Sequence, residues 1–346
     1  MENTPQKQSS SGISLCMIAK NEERFLRQAL RSVRGVVDEI IFCDTGSTDT
    51  TPELASEFGA KVFRIDWSDD FAAARNFSLS QASMPWVLVL DADEMLSEEL
   101  AHNLRPMASA GRRGIQFQRV HYENNQELYA EILSGAELRL STPIPKNYLR
   151  TLDLRLFPNA PELRYSGRVH EVIQPSLEKI ACPVTSSDLV IHHFAGLKPQ
   201  SEKLAKSENY LKLGEQKVLE LPHHWGPWLE LAIELQHLGR YQEALPKLEK
   251  ALELWPENHK AWYHLGLSQL ELGKIEEALK SFHTSLSYGA DNLAILNATG
   301  VALLRLGHIE EAKRCFEAVL NDTPADPVAL SNMADCAIAS RLTKQS

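Results

Sequence analysis

The sequence predicts an α/β domain, with helices on both faces of a mostly parallel sheet, followed by an all-α repeat solenoid. Three observations lead to this prediction. Short apolar runs alternate with amphipathic stretches over residues 13–90, and the last third of the chain repeats with a period of 34 residues. The chain also has 346 residues, which exceeds the usual size of a single hydrophobic core.

The first domain begins with four short apolar runs that are typical of buried strands. These predicted strands lie at 13–18, 39–43, 61–65 and 86–90. Amphipathic stretches between them predict helices at 22–33, 51–58 and 71–82. Because strands that alternate with helices pair in parallel, ligands are expected at their carboxyl ends. The region 111–194 has only short strand-like pieces, and no topology follows from its pattern.

The C-terminal third carries apolar or small residues at equivalent positions in three successive segments. Ala244, Ala278 and Ala312, for example, are each 34 residues apart. This period is typical of tetratricopeptide repeats, in which two antiparallel helices cross at small residues. About three repeats and a capping helix are expected.

These patterns give four predicted parts of the chain. They are a disordered tail at 1–11, the α/β domain at 12–197, a linker helix at 198–222 and the repeats at 223–346.

Charge and hydropathy exclude two classes of partner. The net charge is −10 and no dense Lys/Arg cluster is present, which argues against binding of nucleic acid. No apolar run reaches the roughly 18–20 residues of a membrane span, so no transmembrane segment is expected. The polar first 11 residues also lack the apolar stretch of a signal peptide. We therefore expect a cytoplasmic protein.

The chemistry is expected at Asp91-Ala92-Asp93, directly after the fourth predicted strand. Alternate side chains of a strand share a face, so both carboxylates are expected to emerge together at its carboxyl end while Ala92 points away. Two such carboxylates can hold a divalent cation against a diphosphate. An isolated motif of this kind is also compatible with a solvated acidic turn. A third interpretation is a phosphatase of the haloacid dehalogenase type, whose first Asp is the nucleophile.

Asp44 and Arg75 place further polar groups near the same predicted edge of the sheet. Together with Asp91 and Asp93 they could surround one ligand. The run DTGSTD at 44–49 also fits a turn and a helix cap, and Arg75 alone also fits a surface ion pair.

The order of these motifs resembles family 2 glycosyltransferases of the GT-A fold, a Rossmann-like nucleotide-sugar-binding fold, in a bacterial branch fused to tetratricopeptide repeats. The resemblance covers almost all of 13–337. The first half carries it with ISLCMIAKNEE at 13–23, DTGSTD at 44–49, FAAARN at 71–76 and LDADE at 90–94. Later signatures are RLF at 155–157, GRVHE at 167–171 and IHHF at 191–194.

The resemblance implies a nucleotide-sugar donor, commonly a UDP-sugar. The implied contacts to the donor are Ala19, Asn21, Glu22, Asp44, Thr45, Arg75, Asp91, Ala92 and Arg155. It also implies a divalent cation, Mn²⁺ or Mg²⁺, held by Asp93, His193 and Asp91. An imidazole ligand favours manganese over magnesium, and His192 is the alternative ligand. For an inverting reaction Glu171 is the expected base, Asp93 is the second catalytic residue, and Glu94 is the alternative base.

The sequence thus predicts a metal-dependent hexosyltransferase that inverts the anomeric carbon. The acceptor is expected to be a protein, a peptide or a glycan, recruited by the repeats. The alternative is a peptide-binding repeat scaffold whose head domain binds nucleotide but is inactive.

Overall fold

The computed structural model describes residues 12–123, 125–140, 148–290, 292–324 and 326–343. The predicted tail at 1–11 lies outside these residues. The chain divides into two compact units, and the boundary lies between Gln200 and Ser201. The predicted linker stretch forms a helix that belongs to the second unit.

The first unit contains eight strands among its described residues. They are β1 (Ile13–Ala19), β2 (Glu39–Asp44), β3 (Lys61–Arg64), β4 (Trp86–Val89), β5 (Glu94–Leu96), β6 (Gly114–His121), β7 (Arg150–Pro158) and β8 (Val184–His193). The helices between them are α1 (Glu23–Ser32), α2 (Thr51–Glu57), α3 (Phe71–Gln81), α4 (Glu98–Ser109), α5 (Gln126–Leu133) and α6 (Gln174–Lys179). The first four strands and three helices confirm the predicted alternation.

The eight strands form one sheet in the order β3-β2-β1-β4-β7-β6-β8-β5. The half from β3 to β4 is parallel, as predicted. The other half is mixed, because β7 is antiparallel to β4 and β6, and β5 is antiparallel to β8, whereas β6 and β8 are parallel. The parallel arrangement predicted from the first four strands is therefore confirmed, and the mixed half is the part for which the sequence predicted no topology.

Helices cover both faces of this sheet. In β1 every residue is buried, and alternate side chains enter different cores. Leu15 and Met17 pack in a core with residues of α1, α2 and α4, whereas Cys16 and Ile18 pack in a core with residues of α3 and α6. The sheet is thus the middle of three layers, which leaves the carboxyl ends of the strands to carry polar groups.

The second unit is helical throughout its described residues. It consists of α7 (Gln200–Glu220), α8 (Trp225–His237), α9 (Tyr241–Leu254), α10 (His259–Glu271), α11 (Ile275–Ser287), α12 (Asn292–Arg305), α13 (Ile309–Asp322) and α14 (Pro327–Thr343). The pairs α8/α9, α10/α11 and α12/α13 are the three predicted repeats. None of the helices in the described ranges combines the length and the apolarity needed to cross a membrane.

Small residues allow the paired helices to approach each other. A Cβ atom added to Gly266 in α10 would lie 2.5 Å from the ring of Phe282 in α11. Gly300 in α12 lies against Phe316 of α13 in the same way, also at 2.5 Å. Both phenylalanines are buried, so the repeat pattern reflects the close packing of glycine against an aromatic ring.

Candidate active site

The loops after β1 and β2 are joined by hydrogen bonds between their polar residues. The Asn21 N–H donates to Ser47 Oγ at 2.9 Å, and the Thr48 N–H donates back to Asn21 Oδ1 at 2.8 Å. Asn21 has a φ of +56°, a left-handed conformation that Asn tolerates better than most residues. The Glu22 N–H donates to Thr51 Oγ1 at 2.8 Å. These bonds hold the two loops as one rim at the carboxyl edge.

Asp44 and Thr45 lie at the end of β2 and are both buried. Asp44 Oδ1 accepts from the Ser47 N–H at 3.0 Å, and the Thr45 hydroxyl donates to the Ala19 carbonyl at 3.1 Å. The run at 44–49 was also compatible with a turn, and this interpretation is correct for 44–47, where Asp44 closes the turn. Ala19, Asn21, Glu22, Asp44 and Thr45 are brought together along this rim.

The chain does not stay extended after β4. The Glu94 N–H donates to the Asp91 carbonyl at 3.0 Å, which closes a turn over 91–94. Ala92 is 3% exposed and packs in the core, so only its backbone is available to a ligand. The expectation that Asp91 and Asp93 act on a shared face is therefore wrong in this respect. The turn directs the two carboxylates to different partners.

Asp91 contacts two guanidinium groups. Its Oδ1 lies 2.6 Å from Arg75 Nη2, and its Oδ2 lies 3.3 Å from Arg155 Nη2. Burial raises the pKa of Asp91, but the positive charges of Arg75 and Arg155 outweigh burial and hold this pKa well below 3.8. Asp91 is therefore a permanent negative charge at neutral pH.

Arg75 also joins Asp91 to Glu171. Arg75 Nε lies 2.6 Å from Glu171 Oε1, although the two residues are 96 positions apart in the sequence. Its guanidinium is also 5.7 Å from the centroid of the Tyr165 ring. The alternative of a surface ion pair is wrong for Arg75, since its side chain is only 10% exposed.

A polar cavity of about 230 Å³ opens beside these groups. Asp91, Arg155 and Glu171 are among the residues that line it. A cavity with guanidinium donors and carboxylate acceptors on its walls suits a ligand that is rich in hydroxyl groups.

Asp93 faces a different set of groups. Its Oδ2 lies 2.8 Å from Lys198 Nζ, and its Oδ1 lies 3.7 Å from His193 Nε2. Lys198 also forms an ion pair with Glu22. Burial lowers the pKa of His193 to about 4, so its imidazole is neutral at pH 7 and one ring nitrogen carries a lone pair.

The alternative residues proposed from the sequence have other roles. Glu94 is fully buried; its Oε1 accepts from Arg155 at 2.6 Å and its Oε2 accepts from the Asp91 N–H at 2.9 Å. Burial raises the pKa of Glu94 to about 7. His192 points to the opposite face of β8 from His193, where its Nδ1 lies 2.9 Å from the Tyr122 hydroxyl. Glu94 therefore orients Asp91 and Arg155, and His192 is a packing residue.

Comparison with known families accounts for both units. Residues 14–162 match the model of glycosyl transferase family 2. Residues 229–291 and 269–336 match two tetratricopeptide-repeat models. The chain joins a family 2 glycosyltransferase domain to tetratricopeptide repeats.

Three curated proteins are similar to parts of this chain. A TPR repeat-containing protein of Synechococcus elongatus is 39% identical over 48% of this chain and 36% of its own length. An uncharacterized glycosyltransferase of Rickettsia typhi is 42% identical over 25% of this chain and 30% of its own. The SPbeta prophage-derived glycosyltransferase SunS of Bacillus subtilis is 25% identical over 71% of this chain and 54% of its own. The chain therefore spans between 30% and 54% of the length of these relatives.

Among solved structures, the thermophilic TPR protein TTC0263 of Thermus thermophilus matches with a TM-score of 0.36 and 22% identity. The match covers 40% of this chain and 76% of that protein.

The glycosyltransferase domain fits a divalent cation at one point, between Asp93 and His193. Asp93 Oδ1 and His193 Nε2 are both electron-pair donors, and their separation of 3.7 Å allows one cation to contact both. Asp91 does not join them, because Arg75 and Arg155 hold its carboxylate. In the described ranges, no group of three or more His, Cys, Asp or Glu side chains forms a complete metal site. The remaining ligands would have to come from substrate and water.

Three residues contact the candidate site although no sequence pattern pointed to them. Lys198 contacts Asp93 from just beyond β8, and Arg119 of β6 lies 3.2 Å from Glu94. His121 of β6 lies 2.9 Å from His193, nitrogen to nitrogen. None of the three belongs to a motif. Arg119 and His121 reach the site through the pairing of β6 with β7 and β8, and Lys198 reaches it through the path of the chain after β8.

Proposed function

We propose that the glycosyltransferase domain transfers a sugar from a nucleoside-diphosphate sugar, with UDP as the nucleotide, to an acceptor hydroxyl or amide with inversion. The observation that carries this proposal is the position of Asp91 and Asp93 just after β4, where Asp91 lines the cavity that Glu171 also lines. Asp91, which contacts Arg75 and Arg155, would orient the donor. Asp93, which contacts Lys198, would bind the cation.

The rim of β1 and β2 would hold the nucleotide. Backbone groups of Ala19 and Glu22 border this rim, and Asp44 closes its second loop. Asp44 would accept from the base or ribose, and Asp91 would accept from a ribose hydroxyl. Arg75 and Arg155 would stand beside the diphosphate, whose negative charge grows as the sugar leaves.

Asp93 and His193 would hold the cation. A divalent cation supplies positive charge that stabilises the departing diphosphate. A neutral imidazole and a carboxylate form a donor set that suits manganese better than magnesium. Lys198 contacts Oδ2 of Asp93, whereas Oδ1 is the oxygen on the side of His193.

Glu171 would remove the proton from the acceptor. It lines the cavity with Asp91, whereas the alternative base Glu94 is fully buried. Arg75 fixes the carboxylate of Glu171 at 2.6 Å, leaving Oε2 as the oxygen that would accept the proton. Attack from the side opposite the diphosphate then gives inversion.

The repeats would recruit the acceptor. Stacked helix pairs form extended surfaces that bind peptides, so a protein or peptide acceptor is the first choice and a glycan is the second.

The test is the release of nucleoside diphosphate from a panel of nucleotide-sugars, with Mn²⁺, Mg²⁺ or chelator. We expect release from the wild type with metal, loss of release in Asp93→Ala, and normal release in Asp188→Ala, a matched change of an exposed acid on β8. Release that persists with chelator and in Asp93→Ala would refute the role of the cation. If no nucleotide-sugar binds at all, the domain is an inactive head on a binding scaffold.

A further inference from the structure

His193 is the last of four polar side chains that form a continuous hydrogen-bonded series across three neighbouring strands. His193 Nδ1 lies 2.9 Å from His121 Nδ1, and His121 Nε2 lies 3.0 Å from Thr151 Oγ1. Thr151 Oγ1 donates to Asp153 Oδ2 at 2.6 Å. The residues belong to β8, β6 and β7, which lie side by side in the sheet.

The direction of each bond follows from the end of the series. An ionised carboxylate only accepts hydrogen bonds, so the single hydroxyl hydrogen of Thr151 points to Asp153. Thr151 Oγ1 must then accept from His121, which places a hydrogen on His121 Nε2 and leaves His121 Nδ1 bare. His193 Nδ1 must in turn be the donor to that bare nitrogen.

The opposite direction fails at two points. Thr151 would have to donate to His121, which would set two lone-pair oxygens 2.6 Å apart at Asp153. The hydrogen on His193 Nε2 would face Asp93 Oδ1 at 3.7 Å, which is too long for a hydrogen bond. Only the first direction gives each of the three hydrogen bonds one donor and one acceptor.

We propose that His121, Thr151 and Asp153 fix the tautomer of His193, so that its Nε2 is bare and directed at Asp93 Oδ1, ready to bind a divalent cation. This inference rests on the proposed function in one respect, which is the binding of a cation by Asp93 and His193. Arg119 lies beside the end of the series, where its Nε is 3.2 Å from Asp153 Oδ2 and forms an ion pair with that carboxylate. His121 and Thr151 are therefore positioning residues, acting through His193.

The first measurement is made on the metal-free protein without any sugar. Two-bond ¹⁵N–¹H correlation spectra of ¹⁵N-histidine-labelled protein at pH 7.5 report which ring nitrogen carries hydrogen, and His193→Gln and His121→Gln assign the signals. We expect hydrogen on Nδ1 of His193 and on Nε2 of His121. Hydrogen on Nε2 of His193 in the wild type overturns the inference.

The second measurement is the binding of Mn²⁺ alone, by calorimetry, to the wild type, Thr151→Val and Thr151→Ser. Valine has the shape of threonine but lacks the hydroxyl group. In Thr151→Val we expect a shift of His193 toward hydrogen on Nε2 and Mn²⁺ binding about 10–100-fold weaker. Thr151→Ser should restore both. An unchanged spectrum or affinity in Thr151→Val overturns the proposed positioning role.

The two proposals can fail separately. If the spectra and Mn²⁺ affinities follow the expectation but no nucleotide-sugar is turned over, the positioning role stands and the transferase proposal falls. If turnover needs metal but Thr151→Val behaves as the wild type, the transferase proposal stands and the positioning role falls.

Discussion

Asp91 and Glu171 bind to the same guanidinium, at 2.6 Å each, although they approach it from different parts of the domain. Arg75 uses Nη2 for Asp91 and Nε for Glu171, two donors held apart in one rigid plane, whereas an ammonium group offers its donors from a single nitrogen. The geometry of Arg75 thus sets the distance between the proposed donor-orienting acid and the proposed base.

Arg75→Lys is therefore expected to reduce activity despite keeping the charge. A lysine offers its donors from a single nitrogen and cannot reproduce the spacing of Nη2 and Nε, so kcat/KM for release of nucleoside diphosphate should fall about 100-fold, or about 2.7 kcal/mol. Arg75→Met should in addition lower the free energy of unfolding by about 3–5 kcal/mol, because it leaves buried charge uncompensated. Initial rates and urea unfolding measure the two effects. Wild-type rates in Arg75→Lys would show that the bidentate geometry is unimportant.

Lys198→Met is expected to tighten metal binding and weaken the metal-free fold. Lys198 lies between Asp93 and Glu22, so its removal takes a positive charge away from the cation position and leaves two carboxylates facing each other. We expect the Kd for Mn²⁺ to fall several-fold and the thermal midpoint without metal to fall. Lys179→Met, an exposed lysine on α6, is the matched control. Weaker Mn²⁺ binding in Lys198→Met would contradict this expectation and show that Lys198 stabilises the cation site.

Gly266→Ala should destabilise the repeat unit. The added Cβ would lie 2.5 Å from the buried ring of Phe282, and overpacking of this kind costs about 1–3 kcal/mol. Urea unfolding measures the loss, and Phe282→Leu in the same chain should recover part of it. Gly214→Ala in α7 is the matched control, because the nearest atom to its Cβ would be a Leu231 methyl group at 3.2 Å. Equal effects of the two alanines would contradict the packing argument.

Stability should fall on acidification between pH 6.5 and 4. Burial lowers the pKa of four histidines to about 4, and these are His121, His192, His193 and His264. In this pH range the unfolded chain binds protons that the folded chain does not, so unfolding is favoured as the pH falls. Glu94, with a pKa of about 7, has the opposite effect: between pH 7 and 4.5 the folded chain binds a proton there that the unfolded chain does not. Glu94 contributes one proton, whereas the histidines contribute four.

Urea unfolding at pH 7, 6 and 5 measures this dependence. His264→Gln should reduce the slope of unfolding free energy against pH by up to about 1.4 kcal/mol per pH unit, the contribution of one proton. His223→Gln, at an exposed position, should leave the slope unchanged. A flat profile, or a rise in stability toward pH 5, would refute the assignment of buried neutral histidines.

The parallel half of the sheet was predictable because its signals are local. Each strand from β1 to β4 is a short apolar run, and each is separated from the next by one amphipathic helix. The mixed half was not predictable. β8 begins with an exposed stretch at 184–186, and its partner β6 lies 70 residues earlier in the sequence, so neither periodicity nor proximity reveals the pairing.

The same distinction applies to the candidate site. Arg75 and Asp91 were expected to surround one ligand and Glu171 to act as the base, because each belongs to a recognisable motif, and in the structure Arg75 contacts both acids. His121 and Lys198 were missed, since their roles depend on the register of β6 and β8 and on the path after β8. The separate partners of Asp91 and Asp93 were missed because the sequence argument treated 91–93 as extended.

The position of β8 has a consequence for how the domain assembles during synthesis. β8 is the last strand to leave the ribosome, yet it lies inside the sheet, between β6 and β5. Until residue 193 emerges, β5 has no partner and Asp93 faces neither His193 nor Lys198. A nascent chain that ends at residue 162 contains everything that the family model matches, but it lacks one side of the proposed centre. The proposed catalytic centre would therefore be completed late in synthesis and in one step, when β8 inserts into the sheet.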